Sequence, residues 1–282
     1  SIGESTLSVV SKNKNYKIKL LTTNKNANKI LKQALKFKVK NVIISNEEKY
    51  SIYKSIFKKR NINLYLGLNN LNKVLTKKIS YTVNAISGID GLEPTLNIIP
   101  HTSNILIANK ESIICGWELI SNKLKKYKTN FIPIDSEHFS IWNLIRNETK
   151  KNIKKIILTA SGGPFLKSSL NDIKNILPKE ALNHPTWKMG KKISIDSSNM
   201  MNKVFELIEA KKIFNIKSEH ITILIHPSSY IHAIVVFKDQ LIKFLAHETN
   251  MKIPISSALN MHETKQNKDF NFNYNCLLYT SD

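Results

Sequence analysis

The sequence predicts an α/β protein, a doubly wound parallel sheet followed by a second, α+β domain. Three observations carry this expectation. Through residue 134, short runs of Ile, Val and Leu alternate with helical patterns of roughly 10 to 15 residues, the rhythm of βαβ units. Polar residues gather just past the ends of those runs, where such sheets bind ligands. Later, two strand patterns, His220 to Ile225 and Tyr230 to Phe237, follow one another directly and are expected to pair antiparallel, with His226 and Pro227 at the corner.

Taken in order, SIGESTLSVV (residues 1 to 10) reads as the start of a helix. Ser1, Ile2 and Gly3 read as the last part of a glycine-rich dinucleotide loop, in which glycine lets the backbone approach a pyrophosphate. Tyr16 to Thr22 is a strand, Thr23 to Asn26 a turn, and an amphipathic helix runs through Phe37. Asn41 to Ser45 is a buried strand and Glu47 to Lys59 a helix. Tyr81 to Ile86 is a strand ending in the Gly-punctuated SGIDGLEPTL, and Asn104 to Ala108 a strand closed by Asn109, Lys110 and Glu111. Phe131 to Ile134 and Lys155 to Ala160 complete the strand set, and a helix begins after His138. From about Met261 no apolar periodicity remains, and residues 261–282 read as an irregular tail, its very end expected not to be native coding sequence.

The chain has 282 residues, 41% hydrophobic and 23% charged, a globular composition. Its formal charge is +22, but the lysines are scattered among Asn and Ile without a basic stripe interleaved with aromatics, so we expect no nucleic-acid partner. No run reaches the roughly 18 apolar residues of a membrane span, so no membrane role is expected. Two cysteines, Cys115 and Cys276, make neither a metal pair nor a disulfide framework. Cys115, within SIICGW, is expected to be a packed thiol.

The densest polar stretch is HPTWKMGKKISIDSSNMMNKVFELIE, His184 to Glu209. We expect a strand at Lys192 to Ile195, with Asp196, Ser197 and Ser198 as helix N-cap candidates, then a helix from about Asn199. A helix start of this kind collects anions. Asn202, Lys203 and Glu206 share one helical face, read either as a pocket wall or as an ion-paired first turn. Asp135 and Glu137 stand one residue apart at a strand-to-loop turn and could hold a hard divalent cation, although DxE alone also reads as a polar loop. His138 reads as a supporting donor or packed residue, and Glu209 as packing. Ser161, Gly162 and Gly163 expose backbone N–H groups and a hydroxyl, suited to an oxyanion or to a plain tight turn.

ANKES (Ala108 to Ser112), PIDSEH (Pro133 to His138), ASGGPF (Ala160 to Phe165) and HPTWKMGKKISIDSSNMMNK (His184 to Lys203), followed by Glu206, occur in that order. Together they resemble the 1-deoxy-D-xylulose 5-phosphate reductoisomerase family from Ser1 to about Asn260. The resemblance implies a Rossmann-like NADPH-binding domain over residues 1–134, its first strand and the start of its Gly-rich loop missing, and a metal- and substrate-binding catalytic domain over 135–260. It implies Asp135, Glu137 and Glu206 as ligands of one divalent cation, Mn2+ or Mg2+ with Co2+ a further candidate. Substrate contacts fall on Lys110, Ser136, Ser161, His184, Trp187, Ser197, Asn202 and Lys203, of which Ser161, Ser197, Asn202 and Lys203 form the phosphate set. His184, Trp187 and Met189 lie on a lid. Cofactor contacts map to Ser1, Ile2, Lys25, Asn26, Gly88, Asn109, Glu111 and Gly190.

The implied reaction rearranges 1-deoxy-D-xylulose 5-phosphate, a small sugar phosphate, and reduces the resulting aldehyde with NADPH to 2-C-methyl-D-erythritol 4-phosphate. The alternatives are another NAD(P)-dependent dehydrogenase or a catalytically inactive fragment. The family's C-terminal helical domain is expected to be absent from this stretch, and the full-length parent is expected to be a homodimer. Composition rich in Lys, Asn and Ile points to a plastid of an AT-rich eukaryote, with bacterial cytoplasm as the alternative.

Overall fold

The structure, a computed structural model, describes residues 1–187 and 189–259. The expected tail and Cys276 lie outside the described residues. The N-terminal half runs α1 (Ile2–Val10), β1 (Leu21–Thr23), α2 (Ala27–Lys36), β2 (Asn41–Ile44), α3 (Glu47–Lys59), β3 (Asn63–Leu66), α4 (Leu71–Val74), β4 (Ile79–Asn84), α5 (Leu92–Ile98), β5 (Thr102–Ile107), α6 (Lys110–Tyr127) and β6 (Asn130–Pro133). It continues with α7 (Ser136–Ile145), β7 (Ile153–Ala160), α8 (Leu170–Ile173), α9 (Pro178–Ala181), α10 (Lys191–Ser198), α11 (Met201–Phe214), β8 (Ile221–Ile225), β9 (Ile231–Phe237), β10 (Ile242–Ala246) and α12 (Lys252–Ala258).

Parallel pairing holds throughout the first half, in two ladders, β1-β2-β3 and β4-β5-β6. Their β-branched runs are buried on both faces, as parallel strands require: Val42, Ile43 and Ile44 in β2 and Ile105 and Leu106 in β5 are fully buried. Helix α2 turns Ala27, Ile30 and Ala34 inward at helical spacing. Helix α3 has the Asn46 side chain as N-cap, Glu47 and Glu48 in its first turn, and Lys58 and Lys59 in its last, all in accord with its dipole. β1 and β4 line the two sides of a cavity of about 1270 Å3.

The second half is a four-stranded sheet, β10-β9-β7-β8, packed on α7 and α11 through Ile141, Ile156, Leu158, Ala210, Phe214 and Val235. The expected antiparallel pairing of the strands at 220–225 and 230–237 does not form. β7 lies between them, parallel to β8 (Ile156 opposite Ile221) and antiparallel to β9 (Ile157 opposite Ile234). β7 carries the fully buried Ile156 and Leu158, so it takes the centre, and burial outweighs sequence adjacency.

Three further expectations are corrected. Residues 192–195 are helical, within α10. The apparent alternation of Ile193 and Ile195 buries neither of them, whereas Lys192 pairs with Asp196 at 2.8 Å, an i,i+4 contact that only a helix makes. Asp196, Ser197 and Ser198 consequently end α10 instead of capping the next helix. The N-cap of α11 is Met200, in the left-handed region at φ 64°, with no side-chain cap. Cys115 is exposed on α6, because the inward face of that helix is occupied by Ile113, Gly116 and Ile120.

Gly163 fixes how the α10–α11 corner meets the end of β7. Its φ is +72°, and a Cβ there would lie 2.6 Å from the Ser197 carbonyl oxygen, a backbone atom that cannot step aside cheaply. Gly163→Ala is therefore expected to destabilise the fold by about 1–3 kcal/mol in urea unfolding. An unchanged midpoint would contradict this close approach.

Candidate active site

Three helix starts meet in the lower part of a cavity of about 770 Å3, bringing Lys110 of α6, Asp135 and Glu137 of α7, and Asn202, Lys203 and Glu206 of α11 together. Asp135 is the N-cap of α7 and Glu137 lies in its first turn, so the expected loop is the start of a helix, which begins at Ser136 and not after His138. That placement suits carboxylates, since the N-terminal end of a helix is partially positive. Asp135 makes no capping hydrogen bond, which leaves its carboxylate for Lys110 Nζ at 2.9 Å. Lys110 also donates to Asn202 Oδ1 at 2.7 Å and Glu206 Oε1 at 3.3 Å. Lys203 reaches Glu137 Oε1 at 2.8 Å and pairs with Glu206 Oε2. Asn202 donates to Glu206 Oε1 at 2.5 Å, and Ser136 to Glu137 Oε2 at 2.6 Å.

A helix face carrying Lys203, Glu206 and Glu209 would ordinarily face water, yet here all three are buried. Burial works against the Lys110 and Lys203 ammoniums, but Asp135 and Glu206 hold Lys110 well above the usual lysine value, and Glu137 and Glu206 do the same for Lys203. Burial likewise opposes the Glu137 carboxylate, which Lys203 nevertheless holds well below the usual range. Glu206 goes the other way. Burial, reinforced by Glu137, pushes it up to about 7, and burial does the same to Glu209.

His138, fully buried, donates from Nε2 to the Glu206 backbone carbonyl at 2.9 Å and turns Nδ1 toward Glu209 Oε2 at 3.3 Å. It thereby fixes α11 against α7, the supporting role expected for it. One oxygen from each of Asp135, Glu137 and Glu206 lies within 4.8 Å of the others. Oxygens on opposite sides of an octahedral Mg2+ are roughly 4.2 Å apart. Oxygens on adjacent corners are roughly 3 Å apart, so the three carboxylates would have to draw together around an ion, and the all-oxygen donor set fits a hard cation. Asp135, His138 and Glu209 form a second group at the same spacing, deeper in the fold and with a nitrogen donor.

Across the cavity, His184 Nδ1 accepts from the backbone N–H groups of Thr186 and Trp187 at 3.2 and 3.0 Å. Its proton must then sit on Nε2, which donates to Ser161 Oγ at 3.0 Å. Ser161 Oγ also accepts from Gly163 N at 3.1 Å. With both acceptor positions taken, the Ser161 hydroxyl proton is free to point at a ligand oxygen. The segment carrying His184, Trp187 and Met189 borders this cavity and is tied down by Thr186, which touches Ser229 Oγ at 3.3 Å and accepts from Thr249 Oγ1 at 3.3 Å. Ser197 borders the cavity too, from the last turn of α10.

The expected cofactor residues divide. Ser1 borders both cavities, Asn26 the larger one, and Ile2 and Gly190 the smaller. Asn24 and Asn26, just past the end of β1, give the larger cavity the polar mouth at a strand end that a dinucleotide requires. Lys25, Gly88, Asn109 and Glu111 line neither. Asn109 spends its side chain on structure, accepting from Ser112 N at 2.6 Å and donating to Ile86 O and Gly88 O at 2.5 and 2.7 Å. Glu111 pairs with Lys192 at 2.9 Å, tying α6 to α10.

Sequence reasoning missed a pair of stacked histidines, His232 and His247, with ring centroids 3.8 Å apart. His232 meets the Trp187 ring edge-on at 5.9 Å and borders the cavity. Each donates to a backbone carbonyl, His232 to His247 O at 3.0 Å and His247 to Glu248 O at 2.6 Å, and burial holds both rings below the usual histidine value. Burial pushes His247 down to about 4.

A cation in the three-carboxylate site requires Glu206 ionised. With its pKa at about 7, the proton competes below neutrality and leaves the site above it. Mg2+ affinity by calorimetric titration should fall about tenfold from pH 7.5 to 6.0. A flat profile down to pH 5 would contradict the buried state of Glu206.

The family model described as 1-deoxy-D-xylulose 5-phosphate reductoisomerase matches residues 1–116, and that of the C-terminal domain of the same enzyme matches residues 131–214. The enzyme of that name from Pelagibacter ubique is 52% identical over 280 residues, 98% of this chain and 72% of the relative. A solved DOX-P reductoisomerase in complex with NADPH, fosmidomycin and magnesium superposes with a TM-score of 0.87 at 35% identity, covering 98% of this chain and 71% of the other. The enzyme from Zymomonas mobilis in complex with NADPH gives 0.85 at 31%, with coverages of 98% and 71%. The chain belongs to the 1-deoxy-D-xylulose 5-phosphate reductoisomerase family.

Proposed function

We propose that this chain carries the NADPH-dependent, divalent-metal-dependent rearrangement and reduction of 1-deoxy-D-xylulose 5-phosphate to 2-C-methyl-D-erythritol 4-phosphate. The observation that carries the reading is the convergence of Asp135, Glu137 and Glu206 within 4.8 Å in the cavity that Ser161 and Lys203 also line. When bound, Mg2+ or Mn2+ supplies Lewis-acid polarisation of the substrate's vicinal oxygens, and NADPH supplies the hydride. The protein's part is binding and exclusion. Ser161, Ser197, Asn202 and Lys203 grip the phosphate, the Ser161 hydroxyl having its proton free to donate. Lys110 and Ser136 take the substrate hydroxyls. His184, Trp187 and Met189 close over the cavity and exclude water. Residues 1–134 serve as the NADPH-binding domain and residues 135–260 as the catalytic domain, with Ser1, Ile2, Asn26 and Gly190 nearest the cofactor.

Bacterial relatives favour action in a bacterial cytoplasm over the plastid expected from composition. The assembly we assign is a homodimer, for which the exposed apolar residues Leu224, Ile242 and Phe244 on β8 and β10 offer surface.

Loss of NADPH absorbance on adding 1-deoxy-D-xylulose 5-phosphate should require Mg2+ or Mn2+. Glu206→Gln should lower that rate by roughly 100-fold or more, since even the residues behind metal ligands are worth 10- to 100-fold. Oxidation that ignores the metal, or a fully active Glu206→Gln, would favour another kind of dehydrogenase.

A further inference from the structure

The donors expected to meet substrate and the carboxylates expected to meet metal are already bonded to one another. Lys110 holds Asp135 and Glu206, Lys203 holds Glu137 and Glu206, Asn202 holds Glu206, and Ser136 holds Glu137. Both oxygens of Glu206 and both of Glu137 are engaged in this way. Lys110 and Lys203 are buried, so they have little water to turn to when a cation arrives. A divalent ion entering alone must compete with two ammoniums already paired to its ligands.

An anionic substrate changes that balance. Lys203 and Ser161 border one cavity, and a phosphate gripped by both draws the Lys203 ammonium off Glu137 and Glu206. Hydroxyls accepting from Lys110 do the same for Asp135. We propose that Lys203 is a shared cation, neutralising the metal-binding carboxylates when neither ligand is bound and passing to the phosphate on binding, so that phosphate and metal bind with positive cooperativity. The proposal rests on the metal and phosphate reading above, and goes beyond it by assigning Lys203 a role in metal affinity. Because coupling between two ligands is reciprocal, the metal must tighten phosphate binding by the same factor.

The test uses Mn2+ and inorganic phosphate with no turnover. Free Mn2+ is followed by electron paramagnetic resonance while the chain is titrated, once with phosphate and once with chloride at equal ionic strength, each corrected by a protein-free series. The expected result is Mn2+ binding about tenfold tighter with phosphate, inside the 5- to 150-fold span of such couplings. Lys203→Gln should bind Mn2+ more tightly than the unaltered chain without phosphate and lose most of the phosphate effect. The unaltered chain alone tests the coupling should that variant fold poorly. Mn2+ binding that is indifferent to phosphate overturns the proposal and leaves the metal reading standing. The same holds if Lys203→Gln weakens Mn2+ binding or keeps the full phosphate effect, since the coupling would then be simple attraction between phosphate and metal. No Mn2+ binding under any condition overturns both.

Discussion

The structure depends on how two buried carboxylates, two part-buried ones and two buried ammoniums are kept together where α6, α7 and α11 meet. Taking such groups out of water costs several kcal/mol per ion unless each finds a partner. Lys110 spans Asp135 and Glu206, and Lys203 spans Glu137 and Glu206, so each cation serves two carboxylates. Four carboxylates against two cations still leave an excess of negative charge, and the proton held by Glu206 or Glu209 near neutrality relieves it. A divalent cation relieves it more fully. The site is therefore electrostatically incomplete in the way a metal site needs to be.

Everything around the cluster holds its parts in register. The start of α7 places Asp135 and Glu137 at a partially positive helix end, and His138 locks the α11 backbone to that helix through the Glu206 carbonyl. Gly163 permits the α10–α11 corner to close against the end of β7, so that Ser161 faces the same cavity as Lys203. The His232–His247 stack meets Trp187 edge-on and gives the segment that carries it a neutral neighbour beside the charged cluster.

How much of this was legible in the sequence follows from the range of each interaction. Asp135 with Glu137, and Asn202, Lys203 and Glu206, are set by local spacing, and the order of the long motifs joined them into one site. Most of the parallel βαβ half was legible for the same reason, although β3 (Asn63–Leu66) was not read and β1 begins at Leu21 where a strand from Tyr16 was expected. The strand expected at 192–195 misled because Lys-Ile-Ser-Ile alternates without a sheet to receive it, while Lys192 and Asp196 meet only across a helical turn. β8 and β9 looked like partners because they are adjacent in the chain, and only the burial of β7 decides otherwise. The histidine stack left no signal, since residues 232 and 247 are brought together by the pairing of β9 with β10 and not by any motif. Asn109 and Glu111 were legible as polar residues at a strand end, whereas the bonds of Asn109 to the Ile86–Gly88 loop and of Glu111 to Lys192 on α10 were not.

The central claim is that Asp135, Glu137 and Glu206 form the metal site, and it is tested most directly by locating the ion. Crystals grown with Mn2+ and examined by anomalous scattering should show a single strong peak roughly 2.1 Å from one oxygen of each carboxylate, with the Lys203 ammonium displaced from Glu206. A peak between Asp135, His138 and Glu209, with the Lys203 pairs intact, would contradict it.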